Sequence, residues 1–203
     1  MKKFYCYSKY LFDILMKTSE FFKPEDLPHN VAVISIGAPW NEEEDHWFKT
    51  TNDRVLNIDF DDVSPEFWWK HDMYDDAMND DDQSKYFDSS YINSHGGITK
   101  LHALNYNQAR VIVKFIEDHR DCDFYIHCSA GVSRSQGVVR YVLDTYGDYE
   151  TNPDNPCVCP NIHVTRMLKR VYREKYNSVF TDYSCKILEL YIVNLNILHV
   201  LLE

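Results

Sequence analysis

The run of residues 31–36 is the feature that most constrains the fold. It reads Val-Ala-Val-Ile-Ser-Ile, is almost entirely apolar, and ends at Gly37. A strand with one face in water alternates apolar and polar residues, whereas a continuous apolar run is typical of a strand buried on both faces. A sheet of such strands needs helices on each side to cover it. The run therefore predicts an α/β fold.

Other segments of the chain alternate between strand and helix patterns. Alternation of this kind predicts a central, mostly parallel sheet flanked by helices. A turn-rich link is expected at Tyr149–Pro160, which holds three prolines. The predicted elements are strand Phe4–Ser8, helix Lys9–Phe22, strand 31–36, strand 54–60, helix Asn107–His119, strand Asp123–His127, helix Ser133–Tyr146 and helix Asn161–Tyr176.

The chain has 203 residues, enough for one domain and an appendage. We expect the domain to occupy residues 1–176 and a C-terminal extension to occupy residues 177–203. Within the domain, residues 64–100 show little periodicity and are long for a structureless loop, so they are expected to form an insertion or a lid. In the extension, Ile187–Leu202 has too many apolar residues for one narrow stripe. Self-association through this hydrophobic stretch is therefore one hypothesis.

The net charge of −11 excludes nucleic-acid binding as a main activity, because an acidic chain is repelled by a phosphate backbone. Residues 72–82, with six aspartates, are expected to form a solvated loop. No apolar run reaches the length of about 20 residues that spans a membrane, and the N-terminus lacks the core of a signal peptide. We expect a cytoplasmic protein with reduced thiols and no membrane partner. Cys157 and Cys159 have no second pair at metal-binding spacing, so no metal or other cofactor is expected.

A segment of compact residues between a predicted strand and a predicted helix is the strongest candidate for chemistry. It reads His127-Cys128-Ser129-Ala130-Gly131-Val132-Ser133-Arg134-Ser135. The first N–H groups of a helix are unpaired and the helix dipole is positive there, so this position favours an anion. The small side chains of residues 129–133 leave room for backbone amides around a phosphate. Arg134 can bind two phosphate oxygens at once.

Cys128 is the expected nucleophile of this segment. The amides, the helix dipole and the guanidinium of Arg134 all favour its thiolate form. A thiolate below a bound phosphate can take the phosphoryl group and then release it to water. Ser135 can hydrogen-bond the sulfur, and His127 can hold the loop. The alternative interpretation of Cys128 is a buried structural thiol.

Residues 127–135 resemble the signature of the protein tyrosine phosphatase superfamily, His-Cys-(five residues)-Arg-Ser/Thr. The Ala130-Gly131 pair and the Ser-Arg-Ser ending look like its compact dual-specificity and bacterial or phage-type members. The resemblance implies a phosphatase-like fold and hydrolysis of phosphotyrosine, and possible action on phosphoserine and phosphothreonine, in a protein substrate. Two alternatives stay open: a module that binds phosphorylated proteins without turnover, and a phosphatase of a non-protein phosphoester.

The resemblance also implies a general acid, an aspartate on a movable loop. The sequence Phe60-Asp61-Asp62-Val63 is similar to the phenylalanine-x-aspartate-aliphatic pattern of small relatives. We favour Asp62 and then Asp61, while Asp72 and Asp88 in the insertion are rivals. Asp62 could instead cap a turn. Asn161 could lie near the site or simply cap the last predicted helix.

Overall fold

A central sheet of five parallel strands organises the first of two compact units in this computed structural model. The units are Met1–Lys169 and Arg170–Glu203. Most of the expected insertion and the whole of the expected extension at 177–203, with its apolar stretch, lie outside the part of the chain that the structure describes. The described residues are 1–38, 46–63, 90–92, 98–100, 102–153, 155 and 157–176.

The order of elements confirms the predicted α/β fold with a parallel central sheet flanked by helices. In the five-stranded sheet the strands lie in the order β3-β2-β6-β1-β7, and β4 and β5 pair separately as an antiparallel hairpin. The strands are β1 (Lys2–Ser8), β2 (Val31–Gly37), β3 (Val55–Asp59), β4 (Ser90–Ile92), β5 (Ile98–Lys100), β6 (Asp123–Cys128) and β7 (Tyr149–Thr151). The helices are α1 (Lys9–Thr18), α2 (Tyr106–Asp118), α3 (Arg134–Thr145) and α4 (162–176), with a short 3₁₀ helix at Pro24–Asp26.

Strand β2 is buried along its whole length, as its apolar run predicts. It pairs with β3 on one side and with β6 on the other, and β6 pairs in turn with β1. In this register Ser35 lies opposite His127, and Ser8 lies opposite Cys128. Because all these strands are parallel, their carboxyl ends meet at one edge of the sheet, where ligands of open α/β folds usually bind.

Apolar side chains of the helices cover the sheet. Phe12 and Met16 of α1 pack with Val31 and Val33 of β2 in one buried cluster. In α2, four apolar residues at helical spacing are buried: Ala109, Ile112, Val113 and Ile116. Each isoleucine or valine of this set contributes about 1.5–3 kcal/mol when its side chain is fully buried. None of the helices in the described part of the chain has the length and apolar character needed to cross a membrane.

Most predicted elements begin and end within two residues of the observed ones, but helix α1 and the predicted link at 149–160 differ further. Helix α1 ends at Thr18 rather than Phe22, because the chain turns at Glu20, whose φ is 58°, and the amide of Phe21 closes the turn on the carbonyl of Met16. The predicted link begins with a strand, β7, which adds to the edge of β1. The ring of Tyr149 in this strand packs against that of Phe4, with 5.9 Å between the ring centroids. The strand was not predicted because three residues are too few to show the alternation of a strand.

The loop after β6 lies directly on the junction between β1 and α1. The amide of Lys9 donates to the carbonyl of Ser129 at 3.0 Å. At Gly131, φ is 70°, and a Cβ atom there would come within 2.5 Å of the backbone of Tyr7 and Ser8. Only glycine meets both the backbone angle and the close approach, so this residue sets the position of the loop.

Replacing Gly131 by alanine is expected to destabilise the protein by about 2–4 kcal/mol, through the cost of a left-handed backbone and of overpacking. Urea unfolding followed by circular dichroism measures the change. Gly147→Ala is the matched control, since a Cβ there meets nothing within 4 Å, and it should be neutral or slightly stabilising. Equal stability of the two variants would contradict the close packing of the loop on β1.

Candidate active site

Cys128 ends strand β6 in the middle of the sheet and is 2% exposed. Its Sγ lies 3.1 Å from Oγ of Ser135, a fully buried residue in the first turn of α3. The loop 129–133 fills the interval between the strand and the helix. The sulfur therefore lies next to the positive end of a helix, where an anion is favoured.

Side chains outside the loop hold its backbone in place. The carbonyl of Gly131 accepts hydrogen bonds from Nδ2 of Asn155 at 3.2 Å and from Nε2 of Gln136 at 3.3 Å. Oε1 of Gln136 accepts from the amides of Val158 and Cys159. Gln136 thus joins the loop to the segment before α4. Of the loop side chains, Ala130 and Val132 are exposed, and Ser129 and Ser133 are half-buried.

Arg134 begins α3 and is 6% exposed. Its Nη1 donates to the carbonyls of Gly37 and Phe60 at 2.9 and 3.0 Å. These carbonyls lie at the carboxyl ends of β2 and β3, so the guanidinium is held at the same edge of the sheet as Cys128. A guanidinium has five N–H donors, and Nη1 supplies two of them.

Asp62 lies opposite the start of α3, on the segment that follows β3. Its Oδ1 accepts from Oγ of Ser133 at 2.6 Å and from Nδ2 of Asn161 at 2.8 Å. Asn161 also caps α4, because its Oδ1 accepts from the amide of Val164. Both expectations for Asn161 therefore hold. The structure brings Asp62 to the rim of the loop 129–133, which follows Cys128.

Asp61 points elsewhere. It is 3% exposed, and its Oδ2 accepts from the amide of His102 at 2.6 Å while its own amide donates to the carbonyl of His102 at 2.7 Å. These bonds fasten the segment after β3 to the segment before α2. The two other candidate acids, Asp72 and Asp88, lie outside the described residues.

His127 lies beneath the loop and is fully buried. Its Nε2 is 2.8 Å from Oγ of Ser35, which is 2.6 Å from Nδ1 of His46. Nε2 of His46 lies 3.1 Å from a carboxylate oxygen of Asp59. Burial, assisted by the nearby charge of Lys9, lowers the pKa of His127 to about 3. His127 is therefore a neutral ring, and its Nε2 is hydrogen-bonded to Ser35 of the neighbouring strand β2.

Several residues around the site were not predicted from the sequence. Ser35 has a visible signal, because it is the one hydroxyl within the apolar run of β2. Gln136, Asn155 and His46 have none, since ordinary polar residues carry no spacing pattern. Cys6 on β1 is also missed, although its thiol donates to Oγ of Ser135 at 3.2 Å.

The cysteines in the described part of the chain are free thiols: Cys6, Cys122, Cys128, Cys157 and Cys159. Among the same residues, no group of three or more histidine, cysteine, aspartate or glutamate side chains is placed to hold a metal ion. The groups that the described residues bring to this site are a thiol, a guanidinium, a hydroxyl and a carboxylate.

Comparison with models of known protein families, with curated proteins and with solved structures finds no match to this chain.

The buried neutral His127 should make the stability of the protein depend on pH. The unfolded chain binds a proton at this histidine below about pH 6.5, but the folded protein does not until about pH 3, so stability is lost as the pH falls through this window. His127→Gln removes the group. Between pH 6 and pH 4 the free energy of unfolding should therefore fall less steeply in the variant, by up to about 1.4 kcal/mol per pH unit.

Urea unfolding at a series of pH values measures this slope, which is independent of any constant loss of stability in the variant. The exposed His29 provides the matched control, His29→Gln, which should keep the wild-type slope. A wild-type slope in His127→Gln would show that His127 does not remain neutral.

Proposed function

We propose that this chain is a cysteine-dependent phosphatase that hydrolyses phosphotyrosine in proteins through a cysteinyl-phosphate intermediate. One observation carries the proposal: Cys128 Sγ lies 3.1 Å from Ser135 Oγ at the start of a helix, with a buried arginine beside it and a carboxylate at the rim. A thiol, an anion-binding helix start and an acid are the groups that phosphoryl transfer to sulfur requires.

In the first step the thiolate of Cys128 attacks phosphorus. The S–P bond forms, the bond from phosphorus to the tyrosyl oxygen breaks, and that oxygen takes a proton from Asp62. The backbone amides of the loop bind the phosphoryl oxygens, whose charge they stabilise without reorganising. The guanidinium of Arg134 is the side chain assigned to these oxygens, while its Nη1 keeps the group at the sheet edge.

Asp62 is the acid in this proposal because of its position and its two oxygens. Oδ1 is occupied by Ser133 and Asn161. Oδ2 accepts no hydrogen bond from the residues that the structure describes, and the side chain is exposed. Oδ2 is therefore the oxygen that would carry the proton to the leaving group.

In the second step a water molecule attacks the phosphocysteine. The carboxylate of Asp62 takes a proton from the water, the S–P bond breaks, and inorganic phosphate is released. Sulfur leaves as a thiolate, which a hydrogen bond from Ser135 stabilises. The reaction consumes one phosphomonoester and one water molecule and returns the enzyme with Asp62 protonated again.

The composition of the loop favours a substrate with a single phosphate, such as phosphotyrosine in a protein. Residues 129–133 contain no lysine and no arginine, and His127 is neutral. Arg134 is therefore the single cationic side chain of the segment 127–135. A phosphomonoester has one phosphate to neutralise, whereas phosphoesters with several phosphates require more positive charge. Activity on peptides that differ only in the phosphorylated residue will decide whether phosphoserine and phosphothreonine are also substrates.

Cys128→Ser is expected to abolish hydrolysis of p-nitrophenyl phosphate, because the alcohol is a far weaker nucleophile than a thiolate. Release of p-nitrophenolate measures turnover. Cys122→Ser, which changes another buried thiol, should retain it. If the wild-type protein shows no turnover above Cys128→Ser, the enzyme proposal fails. Binding of a phosphotyrosine peptide by such an inactive protein would support the binding-module alternative.

Asp62→Asn is expected to lower the rate on a phosphotyrosine peptide by about 10²–10⁴-fold, the usual contribution of a general acid. The loss on p-nitrophenyl phosphate should be much smaller, because p-nitrophenolate leaves without a proton. Asp61→Asn is the matched control. It replaces the charged acceptor of the His102 amide by a neutral carbonyl oxygen, so it should reduce thermal stability and lower both rates to a similar extent. An unchanged peptide rate in Asp62→Asn would remove the assignment of the acid.

A further inference from the structure

We infer that Cys6 is a positioning residue: its thiol donates to Ser135 Oγ and so directs the hydroxyl proton of Ser135 onto the sulfur of Cys128. The inference rests on the proposed function in one respect, since it takes Cys128 to work as a thiolate. Cys6 lies outside the segment 127–135, on the neighbouring strand β1.

The three atoms form a short chain inside the protein. Oγ of Ser135 lies 3.2 Å from Sγ of Cys6 and 3.1 Å from Sγ of Cys128. All three residues are buried. In the described part of the chain the two sulfurs are the hydrogen-bond partners of this hydroxyl. A hydroxyl has one proton to donate, so the direction of that proton depends on which sulfur supplies a proton of its own.

The pairing of the strands fixes the position of Cys6. In the parallel register of β1 and β6, Cys6 lies opposite Ile126, two residues before Cys128. Side chains two residues apart in a strand point to the same face of the sheet. On the other side β7 pairs with residues 2–4 only, and Cys6 is held there by Asn152, whose Oδ1 accepts from the amide of Cys6 at 3.1 Å.

The proton of Cys6 has two acceptors within reach, Ser135 Oγ at 3.2 Å and the carbonyl oxygen of Gly131 at 3.5 Å. The carbonyl already accepts from Asn155 Nδ2 and Gln136 Nε2. A carbonyl oxygen has two lone pairs, and these two donors occupy them. The nearer acceptor, Ser135, is therefore the one that takes the thiol proton.

Cys6 remains a donor over the whole neutral range. Burial raises the pKa of its thiol to about 12, although the hydrogen bond with Ser135 acts in the opposite direction. A thiolate at Cys128, by contrast, can only accept. One arrangement satisfies all three groups: Cys6 S–H donates to Ser135 Oγ, and Ser135 O–H donates to Cys128 Sγ.

This arrangement gives Cys6 an effect on a sulfur that it does not contact. With the donor in place, the Ser135 proton is directed at Cys128 before substrate binds, and a hydroxyl that accepts a hydrogen bond is a stronger donor. Loss of the donor should therefore lower the fraction of Cys128 that is thiolate. From the usual worth of one neutral hydrogen bond we expect a change of about threefold.

Alkylation of Cys128 by iodoacetamide tests the inference. The rate is measured from pH 4 to pH 9 by mass spectrometry of the peptide that contains Cys128, so that the other thiols do not contribute. Cys6→Ala should move the midpoint of the pH profile upward by about half a unit, the equivalent of threefold less thiolate at a given pH. Cys6→Ser, which keeps a donor, should restore the wild-type midpoint. Cys122→Ala, a matched change at another buried thiol, should have no effect.

Two results would overturn the inference. One is a wild-type pH profile in Cys6→Ala. The other concerns the double variant. Because Cys6 acts through Ser135, adding Cys6→Ala to Ser135→Ala should not move the midpoint any further, and a further shift of the same size as in the single variant would contradict the inference. Thermal melting of each variant confirms that it is folded. Because alkylation needs no turnover, this test reads out separately from the phosphatase assay, and either proposal can fail while the other stands.

Discussion

The parallel pairing of β6 with both β1 and β2 is the constraint on which the rest of the structure depends. It places the ends of three strands at one edge of the sheet and delivers Cys128 to the middle of that edge. Strand β1 supplies the surface on which the loop 129–133 lies, and it carries the thiol of Cys6. From β2 come the carbonyl that holds Arg134 and the hydroxyl that holds His127. A shift of one residue in the pairing of β1 would turn the thiol of Cys6 to the opposite face of the sheet, and the same shift in β2 would do so for the hydroxyl of Ser35.

The sheet and its helices could be predicted from the sequence because their signals are local. The run at β2 and the helical spacing of α2 each describe burial of one segment, and both elements form as expected. Strand β7 and the end of α1 could not be predicted in this way. A three-residue edge strand exists only because β1 is beside it, and the turn at Glu20 shows no pattern in the chain.

The residues of the candidate site also fall into those that a local sequence pattern predicts and those that depend on contacts distant in the chain. Cys128, Arg134 and Ser135 are close in sequence, and a strand followed by a helix is enough to bring them together. The choice between Asp62 and Asp61 depends on which carboxylate faces α3, and that is decided by contacts with Ser133 and His102, far away in the chain. Polar side chains that hold the loop, such as Gln136 and Asn155, are likewise visible only once the strands are paired.

The place of β1 in the sheet also has a consequence for the order of folding. Phe4 pairs with Phe124 on one side and with Thr151 on the other, so β1 has no partner in the five-stranded sheet until synthesis has reached Phe124. Contacts of such long sequence separation are slow to form, because a large loop must close before they give any stability. The strand β1 that supports the loop 129–133 is therefore among the last parts of the sheet to be paired. A nascent or partly unfolded chain has the cysteine and the arginine but lacks the support that holds them together.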